Sequence, residues 1–270
     1  MQKYYDYHTH SSISFDSNIS IYNTCQLALE KGAAGLTFTE HAMLGNDPAY
    51  DELPDQTAYE HELLKARADF PTLELGMGLE LDINPQRRKD IEKLLKESAW
   101  DFILGSVHEL FGCNLSAYDG NFGSRQSIQD AYHNYFCGLY EQVHKFDAFD
   151  VLGHLDLIRR NRRFSDTPFS YNDHAEILDA LLKLLIQRGQ GLEVNTAGWR
   201  YGMSETHPSL QVLKRYRELG GEIITCGSDC HSLNSAFGLI RPGYEMIKAA
   251  GFEYVSLFTN RKVQQMKLEI

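Results

Sequence analysis

Short apolar runs alternate along this chain with longer segments whose apolar positions repeat at helical spacing. The runs predict eight strands, at Lys3–Tyr7, Gly35–Thr39, Leu73–Leu81, Phe102–Val107, Asp150–Gly153, Gly191–Asn195, Glu222–Cys226 and Tyr254–Leu257. The helical spacing predicts helices at Ile21–Lys31, Pro85–Glu97, Ser127–Lys145, Asp173–Arg188 and Ser209–Leu219. Repeated alternation of this kind is typical of parallel strands joined by crossover helices. We therefore expect an α/β protein.

No linker or internal repeat divides the chain, so we expect one barrel-like domain over residues 1–270. Glycines follow three of the predicted helices directly, at Gly32, Gly189 and Gly220, as is common at helix ends. Two insertions, Ala42–Thr72 and Gly112–Ser124, interrupt the alternation. Loops of this length in a compact domain are usually lids or binding loops.

The composition excludes several classes of protein. Hydrophobic residues make up 43% and charged residues 23% of the 270 residues, which is ordinary for a globular chain and not for a disordered one. No apolar run reaches the roughly 20 residues that a membrane helix needs, and the N-terminus does not resemble a signal peptide. The net charge of −11 disfavours nucleic acid and anionic membranes as partners. Five scattered cysteines without a C-x-x-C pair predict no disulfide framework, so we expect a cytoplasmic protein.

Histidine and carboxylate side chains recur where the predicted strands end. Nine such residues follow or end six of the strands: His8, His10, Asp16, His41, Glu80, His108, His154, Asp229 and His231. The carboxyl ends of parallel strands meet on one face of a barrel, so these side chains should converge. A single histidine at a strand end is more often structural. Nine polar groups at one end would be costly to bury unpaired, and imidazole with carboxylate suits zinc, iron or manganese.

The remaining histidines, apart from His207, favour a simpler interpretation than metal binding. Those in helical segments, which we expect to be solvated or to cap helices, are His61, His133, His144 and His174.

The chain resembles the polymerase and histidinol phosphatase (PHP) superfamily of metallo-phosphoesterases. The stretches that carry the resemblance are DYHTH, TEH, GSVH, GHLD and GSDCH, which run in order from Asp6 to His231. Within the superfamily, GLELD, GSVHE and LDLIRR are similar to the histidinol-phosphate phosphatases of bacterial histidine biosynthesis. The resemblance implies a distorted TIM-like (β/α)7 barrel with a metal site at the C-terminal ends of its strands. It leaves the eighth apolar run outside the barrel.

The resemblance also implies a trinuclear centre of divalent transition-metal ions, which are Zn, Mn and/or Fe. The ligands divide into three sets: His8, His10, Glu80 and Asp229 for the first ion, Glu80, His108 and His154 for the second, and Asp16, His41 and His231 for the third. Some relatives carry His where Asp16 stands, so the third ion is expected to bind more weakly or to be a harder ion such as manganese or iron.

Such a centre predicts hydrolysis of a phosphate ester by attack of a metal-bridging hydroxide on phosphorus. Glu80, Asp229 and His231 would then be catalytic. Alternation along the first strand puts Asp6 on the face of His8 and His10, so Asp6 could orient a ligand imidazole. Three divalent ions and three carboxylates leave the pocket net positive by about three charges, which selects a small anion over DNA. Cys230, between two ligands, should point away from them.

Substrate contacts are predicted from the arginine run after the fifth strand. By resemblance we favour Arg160 as the phosphate ligand, because guanidinium matches phosphate bidentately. Further candidates for the phosphate are Asn195, Arg200 and His207. The candidate acids for the ammonium group of histidinol phosphate are Asp82, Glu109, Asp119 and Asp156.

The leading hypothesis is a histidinol-phosphatase acting on a small phosphate monoester, with no nucleic acid or membrane partner. The alternatives are a PHP-type phosphatase for another small ester, a 3′–5′ exonuclease or phosphodiesterase, and a non-catalytic metal-binding regulator. The sequence leaves the oligomeric state and the identity of each ion open.

Overall fold

Seven parallel strands form the centre of the molecule in the computed structural model, which describes residues 2–165 and 169–270. The strands are β1 (Tyr5–Thr9), β2 (Gly35–Ala42), β3 (Glu74–Asp82), β4 (Phe102–Ser106), β5 (Val151–Leu152), β6 (Gly191–Asn195) and β7 (Ile224–Gly227). They are hydrogen-bonded in chain order from β1 to β7, and all pairs are parallel.

The sheet curls until its two edges approach each other. The residues after β7 meet β1 through hydrogen bonds from the Asp229 N–H to the His8 carbonyl (2.7 Å) and from the His10 N–H to the Cys230 carbonyl (2.9 Å). The result is a nearly closed barrel, which confirms the predicted TIM-like α/β fold.

Helices pack around this barrel. They are α1 (Ile21–Glu30), α2 (Gln56–Asp69), α3 (Arg88–Leu94), α4 (Ile128–Lys145), α5 (Arg162–Ser165), α6 (Ala175–Gln187), α7 (Ala197–Arg200), α8 (Leu210–Glu218) and α9 (Ile240–Ala249). Gly32, Gly189 and Gly220 adopt φ of +79°, +65° and +96°, so the glycines predicted to follow helices do take the left-handed conformation. None of the helices within residues 2–165 and 169–270 is long and apolar enough to cross a membrane.

Two predicted segments differ from the structure. The insertion Ala42–Thr72 contains α2, whose buried positions Tyr59, Leu63 and Ala66 repeat at helical spacing. The insertion Gly112–Ser124 begins in a two-residue hairpin (Glu109–Leu110 with Cys113–Asn114). Its loop is held by the Asn161 side-chain amide, which donates to the carbonyls of Ala117 (3.2 Å) and Gly120 (2.8 Å).

A C-terminal hairpin closes the amino-terminal end of the barrel. Its strands β8 (Tyr254–Thr259) and β9 (Lys262–Lys267) pair with each other and with no barrel strand, so the eighth apolar run does lie outside the barrel. The Phe258 ring lies 5.0 Å from that of Phe102 and 6.3 Å from that of Tyr7. The Phe258 N–H donates to the Tyr7 hydroxyl at 2.7 Å. This hairpin therefore covers the amino-terminal end of the barrel, and the predicted site lies at the carboxyl end.

We predict that Phe258→Ala lowers the free energy of unfolding by about 3–5 kcal/mol, because it leaves a cavity beneath the barrel. Val263→Ala on the same hairpin is the control; Val263 is 42% exposed, and its loss should cost less than about 0.5 kcal/mol. Urea unfolding followed by circular dichroism measures both. Equal effects for the two variants would show that the hairpin does not stabilise the barrel.

Candidate metal centre

The nine predicted ligands converge at the carboxyl end of the barrel around Glu80, which is buried in β3. Glu80 Oε1 lies 2.8 Å from His154 Nε2 and 3.4 Å from His108 Nε2. Glu80 Oε2 lies 3.3 Å from His8 Nε2 and 3.4 Å from His10 Nε2. Apart from His41 Nδ1, which also lies 3.0 Å from Oε2, the two oxygens of one carboxylate thus face two separate pairs of histidines.

The other two carboxylates stand on either side of this group. Asp229 Oδ1 lies 3.6 Å from His8 Nε2 and 3.9 Å from His10 Nε2. Asp16 Oδ2 lies 3.2 Å from His41 Nε2 and 3.1 Å from His231 Nε2, and those two nitrogens are 3.4 Å apart. Asp16, His41 and His231 therefore form a compact triangle of donor atoms.

These donor atoms fit divalent metal ions. Two ligands about 2.1 Å from a tetrahedral ion lie about 3.4 Å apart, close to most distances in this cluster. The Nε2 atoms of His8 and His10 face each other at 3.1 Å. A cation between the donor atoms would satisfy groups that the protein alone does not.

Burial and charge in the cluster act in opposite directions on its acids. Burial tends to raise the pKa of Asp229, but the guanidinium of Arg160 and the imidazoles of His8 and His231 hold that pKa well below its usual range. Burial likewise opposes ionisation of Asp16, whose pKa is nonetheless lowered by its hydrogen bonds to His231 and His41. Both carboxylates are therefore ionised near neutral pH and available as ligands.

Glu193 is a residue of this site that the sequence analysis did not identify. Its Oε1 lies 2.7 Å from His8 Nδ1, and its Oε2 accepts from the His154 N–H at 2.8 Å. The contact directs a proton to His8 Nδ1 and leaves Nε2 free for a metal. A Cβ at Gly227 would lie 2.4 Å from Glu193 Oε1, so only glycine allows this approach. The sequence feature that could have indicated Glu193 as a site residue was its position near the end of the sixth predicted strand.

Asp6 does not take the role expected of it. The β1–β2 pairing changes register between Asp6 and Thr9, and this irregularity breaks the alternation on which the prediction depended. Asp6 Oδ1 accepts from the backbone N–H groups of His8 (3.1 Å) and Ser228 (2.9 Å), and from no imidazole. Burial raises its pKa to about 6. Asp6 ties the main chain of β1 to the loop after β7, while Glu193 orients the His8 ring.

Glu40 holds the loop that carries Asp16. This fully buried carboxylate accepts from the Ser11 N–H (3.1 Å), the Ser11 hydroxyl (2.6 Å) and the Ser14 hydroxyl (2.5 Å). Ser14 Oγ also accepts from the His41 N–H at 3.0 Å, so Glu40 links the loop to the end of β2. The motif TEH contains this residue, but only its histidine was predicted to be functional.

Of the residues predicted to bind phosphate, two line the cleft and two are buried beneath it. Arg160 and Arg200 line the cleft above the cluster. Arg160 Nη2 lies 2.5 Å from Asp229 Oδ2, while Arg200 donates to the carbonyls of Ser228 (2.9 Å) and Asp229 (2.7 Å).

Asn195 and His207 are completely buried and do not line the cleft, so the expectation that they contact phosphate is wrong. Asn195 instead donates to Glu193 (3.2 Å) and Asp229 (3.3 Å). His207 accepts from Arg160 at 3.3 Å. Both lie in the layer beneath the cleft, where they contact residues of the site.

The four acids considered for the substrate ammonium also lie outside the cleft, which has a volume of about 450 Å³. Asp82 Oδ1 is 3.3 Å from His108 Nδ1, and Asp156 is buried against His207. Glu109 faces a separate cavity, and Asp119 is exposed in its loop. The uncharged residues that do line the cleft include Phe15, Met43, Asn114, Ser116 and Tyr201.

Two smaller expectations have opposite outcomes. Cys230 points away from the ligands, because its thiol donates to the Ser232 carbonyl (3.2 Å) and packs with Ile19 and Ala236. His174 is neither solvated nor a side-chain cap: it is 6% exposed and lies among aromatic rings, including Phe136 at 5.5 Å. The other helical histidines, His61, His133 and His144, are exposed as expected.

Known proteins resemble this chain along most of its length. The family profile described as "PHP domain" matches residues 6–197. The chain is 28% identical over 267 residues to a histidinol-phosphatase of Lactococcus lactis, covering 98% of each chain. It is 29% identical over 232 residues to a probable histidinol-phosphatase of Clostridium acetobutylicum, covering 86% of this chain and 88% of that one.

A solved structure is similar along nearly the whole chain. It is the crystal structure of histidinol phosphate phosphatase from Lactococcus lactis, complexed with zinc, L-histidinol and phosphate. The TM-score is 0.88 at 27% identity, covering 97% of this chain and 99% of that one.

We predict that Glu193→Gln weakens metal binding by about 10–100-fold, because the amide no longer fixes the His8 tautomer as a carboxylate does. Metal retained after dialysis against graded chelator, measured by mass spectrometry, reports this affinity. Glu205→Gln is the matched control, since Glu205 is partly exposed and contacts Arg159 instead of a ligand. Equal metal retention in the two variants would contradict the role of Glu193.

Proposed function

This chain belongs to the PHP domain family, and we propose that it is a metal-dependent phosphomonoesterase that hydrolyses L-histidinol phosphate to L-histidinol and phosphate. The observation that carries the proposal is the convergence of nine candidate ligand side chains beside Arg160, seven of which line one cleft. The similarity to a histidinol phosphate phosphatase that holds zinc, L-histidinol and phosphate supports the same conclusion.

The proposed centre holds three divalent ions, divided among the ligands as the family resemblance implies. Support comes from the two pairs of histidines at Glu80 and from the triangle of Asp16, His41 and His231. Such ions, when bound, activate water and neutralise charge on a phosphoryl group. Each imidazole then needs its second nitrogen held; Glu193 holds that of His8, and the Asp229 carbonyl (3.1 Å) holds that of His231.

Arg160 and Arg200 would bind the phosphate. Guanidinium donors form strong charge-assisted hydrogen bonds to phosphate oxygens, and both side chains face the cleft from the wall beside Asp229. The ring of Tyr201 lies 4.7 Å from the Arg160 guanidinium and 5.6 Å from that of Arg200. It would keep both cations aligned.

The leaving group would contact the uncharged residues of the cleft lining. Phe15 is 59% exposed there, and its ring lies 5.4 Å from that of His41. An aromatic face attracts both an imidazole ring and an ammonium group. Asn114 and Ser116, from the insertion predicted to be a binding loop, add uncharged hydrogen-bonding groups. These residues suit histidinol without a buried ion pair.

A small cleft in an acidic protein favours a monoester over a nucleic acid strand. We also propose a cytoplasmic location, which the five free cysteines support, because reduced thiols are typical of that compartment.

The proposed activity is tested by phosphate release from the metal-loaded enzyme. L-Histidinol phosphate should give the highest kcat/KM in a panel with glycerol 3-phosphate, a sugar phosphate and bis(p-nitrophenyl) phosphate. We expect Glu80→Gln to lower kcat by about 100-fold or more and to reduce metal content, because its two oxygens serve two ions. A sugar phosphate or the diester as best substrate would identify one of the alternative activities, and unaltered turnover in Glu80→Gln would refute the bridging role.

Phe15→Ala should lower kcat/KM for L-histidinol phosphate by about threefold to thirtyfold, since a cation–π contact contributes about 0.5–2 kcal/mol. Hydrolysis of glycerol 3-phosphate, which has no ring or ammonium, should be nearly unchanged. Phe111→Ala is the control, because Phe111 is 72% exposed and lies outside the cleft. A parallel loss for both substrates would mean that Phe15 shapes the site without recognising histidinol.

A further inference from the structure

Behind Arg160, three side chains form a buried chain of hydrogen bonds that does not reach the cleft. Arg160 Nε donates to His207 Nε2 at 3.3 Å, and His207 Nδ1 lies 2.6 Å from Asp156 Oδ1. Asp156 Oδ2 accepts from Arg159 Nη1 at 2.8 Å. His207 and Asp156 are both 0% exposed.

The partners of His207 fix its tautomer. A guanidinium can only donate, so the nitrogen facing Arg160 must be unprotonated and the proton must sit on Nδ1, where Asp156 accepts it. Burial lowers the pKa of His207 to about 4; the carboxylate of Asp156 opposes this effect, and the guanidinium groups of Arg160 and Arg159 add to it. The imidazole is therefore neutral near pH 7 and presents a lone pair to Arg160.

The chain of hydrogen bonds is anchored to the barrel. The backbone N–H of His207 donates to the Asn195 carbonyl at 2.9 Å, and the Asn195 N–H donates back at 2.7 Å. Asn195 is the last residue of β6, so the imidazole is held on the end of a barrel strand. Through His207, the Arg160 guanidinium is therefore held in place by a barrel strand and not by a surface loop.

Arg160 needs such support for a physical reason. It is 8% exposed, and a buried charge requires partners on every donor to offset desolvation. Asp229 occupies one Nη2 donor and His207 occupies Nε. The guanidinium group is planar, so these two contacts fix its orientation. The directions of its remaining Nη donors are then fixed as well.

We propose that His207 and Asp156 are positioning residues that lock the Arg160 guanidinium in the orientation that binds phosphate. The inference rests on the proposed function only in that Arg160 binds the phosphoryl group. Neither residue touches substrate, because neither reaches the cleft. His207, which sequence reasoning placed among the phosphate ligands, acts through Arg160.

Two substitutions separate the two contacts of His207. In His207→Gln the amide oxygen reaches the place of Nε2, which preserves an acceptor for Arg160. In His207→Asn the shorter amide occupies the place of Nδ1, which preserves the donor to Asp156 and leaves Arg160 Nε without a partner. The metal-loaded full chain is titrated with inorganic phosphate in a calorimeter. We expect affinity to fall about tenfold or more for His207→Asn and less than about threefold for His207→Gln, with unchanged metal content.

A double-mutant cycle tests whether the effect passes through Arg160. Arg160→Ala should weaken phosphate binding by itself, and adding His207→Asn should then cause no further loss. The control is His144→Asn, which alters an exposed histidine stacked on Tyr140 in α4 and should leave phosphate affinity intact. In turnover, His207→Asn should raise KM for phosphate esters more than it lowers kcat.

A spectroscopic signature is independent of whether His207→Asn folds. The ¹⁵N resonances of His207 should show a protonated Nδ1 and an unprotonated Nε2, and Arg160→Ala should shift Nε2 more than Nδ1. The opposite tautomer, equal phosphate affinity in the Asn and Gln variants, or an additive double mutant would each overturn the proposal. So would wild-type protein that binds no phosphate. Arg160-dependent phosphate binding without histidinol phosphate hydrolysis would instead refute only the proposed function.

Discussion

The arrangement of this molecule depends on one buried carboxylate, Glu80, enclosed by imidazoles. Its two oxygens face His8 and His10 on one side and His108 and His154 on the other. Burying these groups without a cation would cost far more than their mutual hydrogen bonds return. The buried polar groups at the carboxyl end of the barrel thus require a bound cation to offset their desolvation. The amino end, plugged by apolar rings, must supply stability that does not depend on metal.

Further buried carboxylates hold the ligand-bearing segments in place. Glu193 fixes the ring of His8, Glu40 fixes the loop of Asp16, and Asp6 fixes the main chain at His8. Each accepts at least two hydrogen bonds, which offset part of its desolvation while it restrains a neighbour. Burial nonetheless raises the pKa of Asp6 and of Glu40. A site with several ligands on loops after different strands requires this, since small displacements of each would add up at the ions.

The sequence was sufficient to predict which histidine and carboxylate side chains converge, because the carboxyl ends of parallel strands meet whatever the detailed packing. The sequence was insufficient where the role of a residue depends on its depth below the cleft or on a local irregularity in a strand. The register change in β1 removed Asp6 from the face that alternation assigned to it. His207 and Asn195 were correctly associated with the site, but sequence spacing does not distinguish the wall of a cleft from the layer beneath it. The buried His174 was missed because its aromatic neighbours come from distant parts of the chain, Tyr132 and Phe169 among them.

Asp229 connects the proposed metal centre to the proposed phosphate site. One of its oxygens faces His8 and His10, and the other accepts from Arg160. A carboxylate shared in this way draws the guanidinium toward the ions, but it also neutralises part of the charge that a phosphate would use. His207 resolves the conflict: as a neutral acceptor it holds Arg160 from behind without adding negative charge. The negative charge of Asp156 is in turn balanced by Arg159, which keeps it from weakening the attraction of the cleft for an anion. In a protein of net charge −11, a neutral partner behind Arg160 and a compensated Asp156 thus limit the loss of positive charge in the cleft to the contact with Asp229.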